Sequence, residues 1–238
     1  MSGTGAKTVG VLGGMGPMAT VEFYRRLVVN TWAEIDQDHL HIVIDNDPTL
    51  PDRTGALLRG TESPGPGLCA MARRLEAAGA EVLAMPCNTA HAFIEEIRSS
   101  VRIPMVDMIE ETATAIGRPR VGVLASNGTI ETGLYQRVLK SHGIEAIVPE
   151  PKDQAVVMNV IFAIKAGRQP ARLVHRIEPV VERLAEAGAK VALAACTELS
   201  LLSGESMAIE WIDALDILVR ATLRAAGARS VGEREESE

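Results

Sequence analysis

The stretch VGVLGGMGPMATVEFYRRL at residues 9–27 decides the fold class of this protein. It opens with a short apolar run rich in Val, which is typical of a buried parallel strand. A glycine-rich turn follows, and apolar residues then recur at helical spacing up to residue 30. The stretch therefore predicts a strand over residues 8–12 and a helix over residues 18–30.

The same alternation of strand and helix continues along the chain. Further strands are predicted over residues 41–44, 81–85, 105–107, 120–124, 145–148 and 190–194. Amphipathic helices are predicted over residues 68–78, 89–99, 133–142, 154–166 and 171–187, with Gly79, Gly143 and Gly188 at three helix ends. This alternation predicts an α/β fold of parallel sheets flanked by helices.

A weak internal repeat divides the chain into two halves. Residues 9–27 match residues 121–139 at 8 of 19 positions, and residues 74–91 match residues 183–200 at 7 of 18. The offsets of 112 and 109 residues are nearly equal, which favours a duplication. We therefore expect two pseudo-symmetric α/β domains with an active site in the cleft between them. The first is expected to span residues 1–115 and 209–238, and the second residues 116–208.

The repeat places Cys87 of the first half and Cys196 of the second at equivalent positions. Each follows a predicted buried strand and precedes a polar tripeptide, NTA or TEL, at the start of a predicted helix. Ligands of open parallel sheets bind beyond the carboxyl ends of the strands. If the halves face each other, the two sulfur atoms meet across the cleft.

A thiolate and a thiol on opposite sides of one carbon atom can remove a proton from one face and return one to the other. A helix N-terminus would lower the pKa of each thiol, and repulsion between two thiolates would separate their titrations. Near-attack contacts predict sulfur atoms about 6–8 Å apart, too far for a disulfide. The alternative is a pair of inert core cysteines. Cys69 has no counterpart in the other half and is expected to be structural.

The composition excludes several classes of function. The net charge of −7 offers no basic surface to nucleic acids, and aromatic residues are only 3% of the chain. No apolar run approaches the roughly 18 residues that span a bilayer, and residues 1–7 hold no apolar signal segment. We therefore expect a cytoplasmic protein without membrane or nucleic-acid partners. The cysteines and histidines lack metal-ligand spacing, so no metal is expected.

Several short segments together resemble a known family. They are LGGMGPMAT at residues 12–20, PDRT at 51–54, MPCNTAH at 85–91, NGTI at 127–130 and ACTEL at 195–199. In this order, and with both cysteines, they resemble the aspartate/glutamate racemase superfamily, most closely its cofactor-independent aspartate racemases. The resemblance runs from about residue 9 to residue 217.

The resemblance implies an isomerase that interconverts L- and D-aspartate without pyridoxal phosphate or another cofactor, and that forms a homodimer. It implies that Cys87 and Cys196 are the two catalytic bases, with Cys196 serving the L face of Cα and Cys87 the D face. It assigns the distal carboxylate to Arg53 and Lys165, and an arginine fork does bind a carboxylate bidentately. The other implied substrate-binding residues are Met15, Gly16, Asn88, Thr89, Thr129 and Thr197.

Three positions distinguish this sequence within the resemblance. Glu198 follows the aspartate branch, whereas glutamate racemases tend to carry His there, and we expect it to orient groups near Cys196. Ala195 stands where the family usually has Gly. Asp47 is acidic beside an acidic substrate, so we expect it to pair with Arg53 or Lys165 or to mark a changed substrate.

Other functions remain open on the sequence alone. The GMGPMA segment at residues 14–19 fits a dinucleotide-binding turn, although Pro17 removes one backbone donor. On the same fold, the substrate could be glutamate or another amino acid. A maleate-isomerase-like enzyme would use one of the two cysteines as a covalent nucleophile. A non-catalytic ligand-binding protein is the remaining alternative.

Overall fold

The computed structural model describes residues 5–202 and 207–231. The helices in this part of the chain are all too short or too polar to cross a membrane. The strands are β1 (Val9–Gly13), β2 (Ile42–Asn46), β3 (Val82–Ala84), β4 (Arg120–Ala125), β5 (Glu145–Ile147), β6 (Val191–Ala195) and β7 (Glu210–Asp213). The helices are α1 (Pro17–Asn30), α2 (Arg53–Arg59), α3 (Gly65–Ala77), α4 (Ile94–Ser100), α5 (Met108–Ala115), α6 (Asn127–Glu131), α7 (Leu134–Ser141), α8 (Pro151–Lys165), α9 (Val174–Glu186) and α10 (Ala214–Ala226).

The strands form two parallel sheets with the same local order. The first sheet runs β2-β1-β3 and the second runs β5-β4-β6-β7. In the first sheet Val9 lies opposite Val82, and in the second Val121 lies opposite Val191. These are the positions that the internal repeat equates, so the repeat is present in the register as well as in the sequence. The predicted fold class, parallel sheets flanked by helices, is confirmed.

Alternate residues of each strand enter different cores. Val9 and Val11 of β1 share one central core with Val121 and Val123 of β4, packed by α5, α7 and α10. Leu12, on the other face of β1, belongs to a second core under α3 and α4. The outer face of the second sheet packs in the same way under α8 and α9. Burial on both faces explains why these strands are apolar throughout.

Two strands differ from the sequence-based expectation. The predicted strand over residues 105–107 is only a single bridge between Leu83 and Met105. It ends there because the Asp107 side chain caps α5, accepting from the backbone N–H groups of Ile109 and Glu110. Strand β7 was not predicted. It lies beyond the expected boundary at residue 209 but pairs with β6 of the second sheet, while α10 packs on α1 and α5 of the first half.

Two contacts hold the halves together near the carboxyl ends of the strands. Helix α2 packs against α6, and a Cβ at Gly128 would lie only 2.7 Å from Oγ1 of Thr54, so this approach requires glycine. On the other side, Arg26 of α1 donates to the Ser200 carbonyl at 2.5 Å and pairs with Asp213 at 2.5 Å. Together these contacts join the segments that follow β2, β4 and β6.

Candidate active site

The two cysteines lie in separate cores but line the same cavity. Cys87 packs with the core under α3 and α4, and Cys196 with the core under α8 and α9. Both are buried, and both contribute to one cavity of about 160 Å³. That volume resembles that of an engineered cavity of about 150 Å³ which holds a benzene molecule. The cavity therefore suits a ligand about as large as a small amino acid.

Side chains from both halves line this cavity. Among the residues predicted for the site, the lining contains Met15, Arg53, Cys87, Asn88, Thr89, Lys165, Cys196, Thr197 and Glu198. Gly16 and Thr129 are not part of the lining. Gly16 nevertheless lies close to Glu198: a Cβ placed on Gly16 would be 3.6 Å from Oε1 of the Glu198 carboxylate.

Thr129 is fully buried beneath a cluster of hydroxyl groups. Its Oγ1 lies 3.0 Å from Oγ1 of Thr89 and 3.2 Å from Oγ of Ser126, and the latter two atoms are 2.8 Å apart. Thr89 and Ser126 both line the cavity. Thr129 itself has no exposed surface and is not part of the lining, so in this structure its hydroxyl supports those of Thr89 and Ser126 rather than facing the cavity.

Cys196 sits beside a carboxylate and an ammonium group. Its thiol donates to Oε2 of Glu198 at 3.0 Å, and Nζ of Lys165 lies 3.4 Å from Oε1 of the same carboxylate. Burial, followed by the negative charge of Glu198, raises the pKa of the Cys196 thiol well above its ordinary value. The expectation of a lowered pKa is wrong here, because burial and the charge of Glu198 outweigh any effect of the 3-10 helix Leu199–Leu201 that follows the cysteine.

Lys165 is held in its charged form by the same group of side chains. Burial disfavours its ammonium, but the charge of Glu198, with smaller contributions from Cys196 and Cys87, raises the pKa of Lys165 overall. The positive charge of Arg53 acts in the opposite direction and lowers the pKa of Lys165. The cavity thus contains a thiol that is hydrogen-bonded to a buried carboxylate, and the same carboxylate is paired with a partly exposed ammonium group.

Cys87 is held through its backbone by a buried histidine. Nδ1 of His91 lies 2.8 Å from the Cys87 carbonyl, and the Met108 N–H donates to Nε2 at 3.1 Å. Nε2 must therefore accept, which leaves the proton on Nδ1 to be donated to Cys87. Burial lowers the pKa of His91, so the neutral ring is the stable form.

The charges along the cavity leave one guanidinium available. Arg59 pairs with Asp52 at 3.2 Å, and Lys165 is occupied by Glu198. Arg53 donates to the carbonyls of Leu50 and Pro51, at 3.4 and 3.1 Å, and has no carboxylate partner among the residues that the structure describes.

Asp47 does not form the pair expected for it. Its carboxylate accepts from the backbone N–H and the hydroxyl of Thr49, at 2.9 and 2.6 Å, rather than from Arg53 or Lys165. These hydrogen bonds lower the pKa of Asp47. Asp47 thus shapes its own turn and leaves the charge of Arg53 unneutralised.

Several lining residues were not identified from the sequence. Met158, Ile161 and Phe162 of α8 share the helix face of Lys165, and this i, i+3, i+4, i+7 spacing was a signal that could have found them. Ser126 follows β4 directly and caps α6, which is also visible as a Ser after an apolar run. The remaining unpredicted lining residues are Asp52, Thr54 and Arg59.

The third cysteine lies apart from the cavity lining. The Cys69 thiol donates to the Glu96 carbonyl at 3.3 Å on the surface of α3, and all three cysteines are free. Within the described ranges, no group of three or more His, Cys, Asp or Glu side chains is placed to hold a metal ion.

Comparison with known proteins identifies the family. Residues 12–222 match the family model described as Asp/Glu/Hydantoin racemase. The chain belongs to this family. It is 31% identical over 234 residues to the broad specificity amino-acid racemase RacX of Bacillus subtilis, covering 90% of this chain and 96% of the relative. This membership makes the protein an amino-acid racemase, and hence an isomerase.

Solved structures agree with that assignment. The Picrophilus torridus aspartate racemase is 35% identical, with a TM-score of 0.85, and the match covers 96% of this chain and 98% of that one. The Francisella tularensis glutamate racemase in complex with D-glutamate, at 17% identity, has a TM-score of 0.63 over 91% of this chain and 79% of that one. The latter similarity concerns the fold alone.

Proposed function

We propose that this racemase acts on aspartate, without a cofactor, by proton transfer at Cα between Cys87 and Cys196. The observation that carries the proposal is that these two cysteines, from equivalent positions in the two halves, line one small cavity. The similarity to the Picrophilus torridus aspartate racemase supports the choice of substrate.

In the proposed reaction, a Cys87 thiolate removes the Cα proton of D-aspartate. The Cys196 thiol then donates its proton to the opposite face, which yields L-aspartate, a Cys87 thiol and a Cys196 thiolate. The raised pKa of Cys196 favours the thiol form from which this direction starts. The reverse direction starts from the forms that this step leaves: the Cys196 thiolate removes the Cα proton of L-aspartate, and the Cys87 thiol returns one to the opposite face.

Recognition of two carboxylates is divided between two groups of donors. Arg53, which is free of acidic partners among the described residues, binds the distal carboxylate. Asn88, Thr89 and Thr197 surround the α-carboxylate, where their dipoles stabilise the charge that accumulates as Cα loses its proton. In the proposed reaction these donors, rather than a cofactor, stabilise the carbanion that forms at Cα.

A second candidate is a racemase for amino acids with apolar side chains. Met158, Ile161 and Phe162 give the cavity an apolar wall on α8. The broad specificity of the Bacillus subtilis relative favours this alternative. A maleate-isomerase-like reaction would differ from both by forming a covalent adduct, detectable by mass spectrometry.

A chiral assay over the L-amino acids, without added pyridoxal phosphate, distinguishes these candidates. The proposal predicts that aspartate has the highest kcat/KM of the set. Higher values for several neutral amino acids would favour the second candidate, and no racemisation of any amino acid would overturn the proposed function.

Arg53→Leu tests how the distal carboxylate is bound. We expect KM for aspartate to rise far more than KM for alanine, by about 10–100-fold, since one charge-assisted hydrogen bond contributes about 1.5–3 kcal/mol. Arg73→Leu, which makes the same charge change on the exposed face of α3 outside the cavity lining, is the matched control. Equal losses for aspartate and alanine in Arg53→Leu would remove Arg53 from distal-carboxylate binding.

A further inference from the structure

A buried hydrogen bond crosses between the two halves directly behind the cavity. The hydroxyl of Tyr135, on α7 of the second half, donates to Oδ1 of Asn88, in the first half, at 2.7 Å. Tyr135 is fully buried, and Asn88 is 3% exposed although it lines the cavity. This contact therefore acts on a residue that meets the ligand, from a position that does not.

The hydrogen bond decides which end of the Asn88 carboxamide is available. A carboxamide carries an acceptor oxygen and a donor nitrogen, and either can take a given position when the group rotates. Tyr135 engages the oxygen, whereas Nδ2 of Asn88 has no hydrogen-bond partner among the residues that the structure describes. An unpaired buried donor costs about 1–3 kcal/mol, so a ligand acceptor at Nδ2 would relieve that cost.

We propose that Tyr135 is a positioning residue, which locks the Asn88 carboxamide so that its N–H groups are presented to the substrate's α-carboxylate. The inference rests on the proposed racemase function and deepens it. A rotated Asn88 would turn its oxygen towards that carboxylate and repel it. Because the lock spans both halves, the donor is in place only when they are packed together.

The chemistry of Tyr135 suits this position. Burial raises the pKa of the Tyr135 hydroxyl, so the neutral form, which can donate a hydrogen bond, is favoured. A donor fixed before the reaction stabilises the growing charge of the carboxylate without reorganising. The effect of losing the lock should therefore fall on kcat as well as on KM.

A double-mutant cycle separates positioning from simple structural support. Tyr135→Phe removes only the hydroxyl and should lower kcat/KM by at least about tenfold, while Asn88→Ala should lower it by about 10²–10³-fold, as for loss of an oxyanion donor. If Tyr135 acts through Asn88, adding Tyr135→Phe to Asn88→Ala should cause no further loss. Additive losses, or an unchanged rate in Tyr135→Phe, would overturn the proposal. Tyr24→Phe, on the exposed face of α1, is the matched control.

A second measurement tests the proposal without measuring a reaction rate. The side-chain amide signals of Asn88 in a ¹H–¹⁵N spectrum, assigned by their loss in Asn88→Ala, should shift when L-aspartate is added. In Tyr135→Phe they should move or broaden before any ligand is present. Signals insensitive to both changes would overturn the positioning of Asn88 by Tyr135, whereas failure of the wild type to racemise any amino acid would overturn only the proposed function.

Discussion

The two sides of the cavity share a backbone plan but differ in chemistry. Cys87 follows β3 and Cys196 follows β6, in sheets of equivalent order and register. The Cys196 thiol nevertheless donates to a carboxylate, whereas Cys87 is fixed through its carbonyl by a neutral histidine. The two cysteines thus occupy equivalent positions, but the residues that follow each of them give the two sites different hydrogen-bond partners.

Removing either sulfur atom should have the largest effect on activity, because it leaves one side of the cavity without its thiol. Cys87→Ala and Cys196→Ala should each lower racemisation by about 10²–10⁴-fold or more, because each deletes one of the two proposed acid–base groups. A chiral assay of aspartate measures the loss. Cys69→Ala should leave the rate unchanged, since Cys69 lies outside the cavity. A single variant with nearly full activity would show that one thiol is dispensable.

Replacing Glu198 by Gln should remove one of the two main causes of the raised pKa of Cys196. Burial still raises that pKa, but loss of the negative charge favours the thiolate, so the pKa of Cys196 should fall. The pH dependence of iodoacetamide alkylation, measured with Cys69 and Cys87 replaced by Ser, reports this pKa. Glu182→Gln makes the same charge change on the exposed face of α9 and should have no effect. An unchanged alkylation midpoint in Glu198→Gln would remove Glu198 from control of the thiol.

The histidine behind Cys87 should give the protein a pH-dependent stability. Burial is the main cause of the lowered pKa of His91, against Asp107, which raises it, and with Arg98, which lowers it further. The folded state therefore prefers the neutral ring, so its stabilisation is complete above the ordinary value of 6.5 and is lost as the pH falls below it.

Urea unfolding at pH 8 and pH 5 checks this expectation. His91→Gln should cost about 1–3 kcal/mol at pH 8, because a glutamine fits the two backbone partners less well. It should also lose less stability between the two pH values than the wild type. The exposed His175→Gln is the control, and an identical pH dependence in wild type and His91→Gln would contradict the neutral buried ring.

The parallel strands were predictable because their signal is local. Residues buried on both faces of a sheet are apolar without interruption, and the glycines that follow the helices adopt positive φ, as at Gly79 and Gly188. Strand β7 escaped prediction because it is a short edge strand with an acidic residue at each end. The strand predicted over residues 105–107 is only a bridge at Met105, because the short apolar run there continues directly into Asp107, which caps α5.

The cysteine pair was also predictable, but its surroundings were not. The repeat equates Cys87 with Cys196 from the sequence alone, whereas the raised pKa of Cys196 depends on burial and on where Glu198 points. Likewise, Tyr135 lies 47 residues from Asn88 in the chain, and only the packing of the halves joins them. The homodimer, the cytoplasmic location and the division at residue 209 stay predictions.

Exchange of the Cα proton in deuterated water tests the central claim, that Cys87 and Cys196 act on opposite faces of one carbon. L- and D-aspartate are each incubated with Cys87→Ala and with Cys196→Ala, and loss of the Cα proton signal is followed by NMR. The account predicts that each variant exchanges at most one enantiomer, that the two variants differ in which one, and that neither interconverts them. Exchange of the same enantiomer by both variants, or racemisation by either, would contradict it.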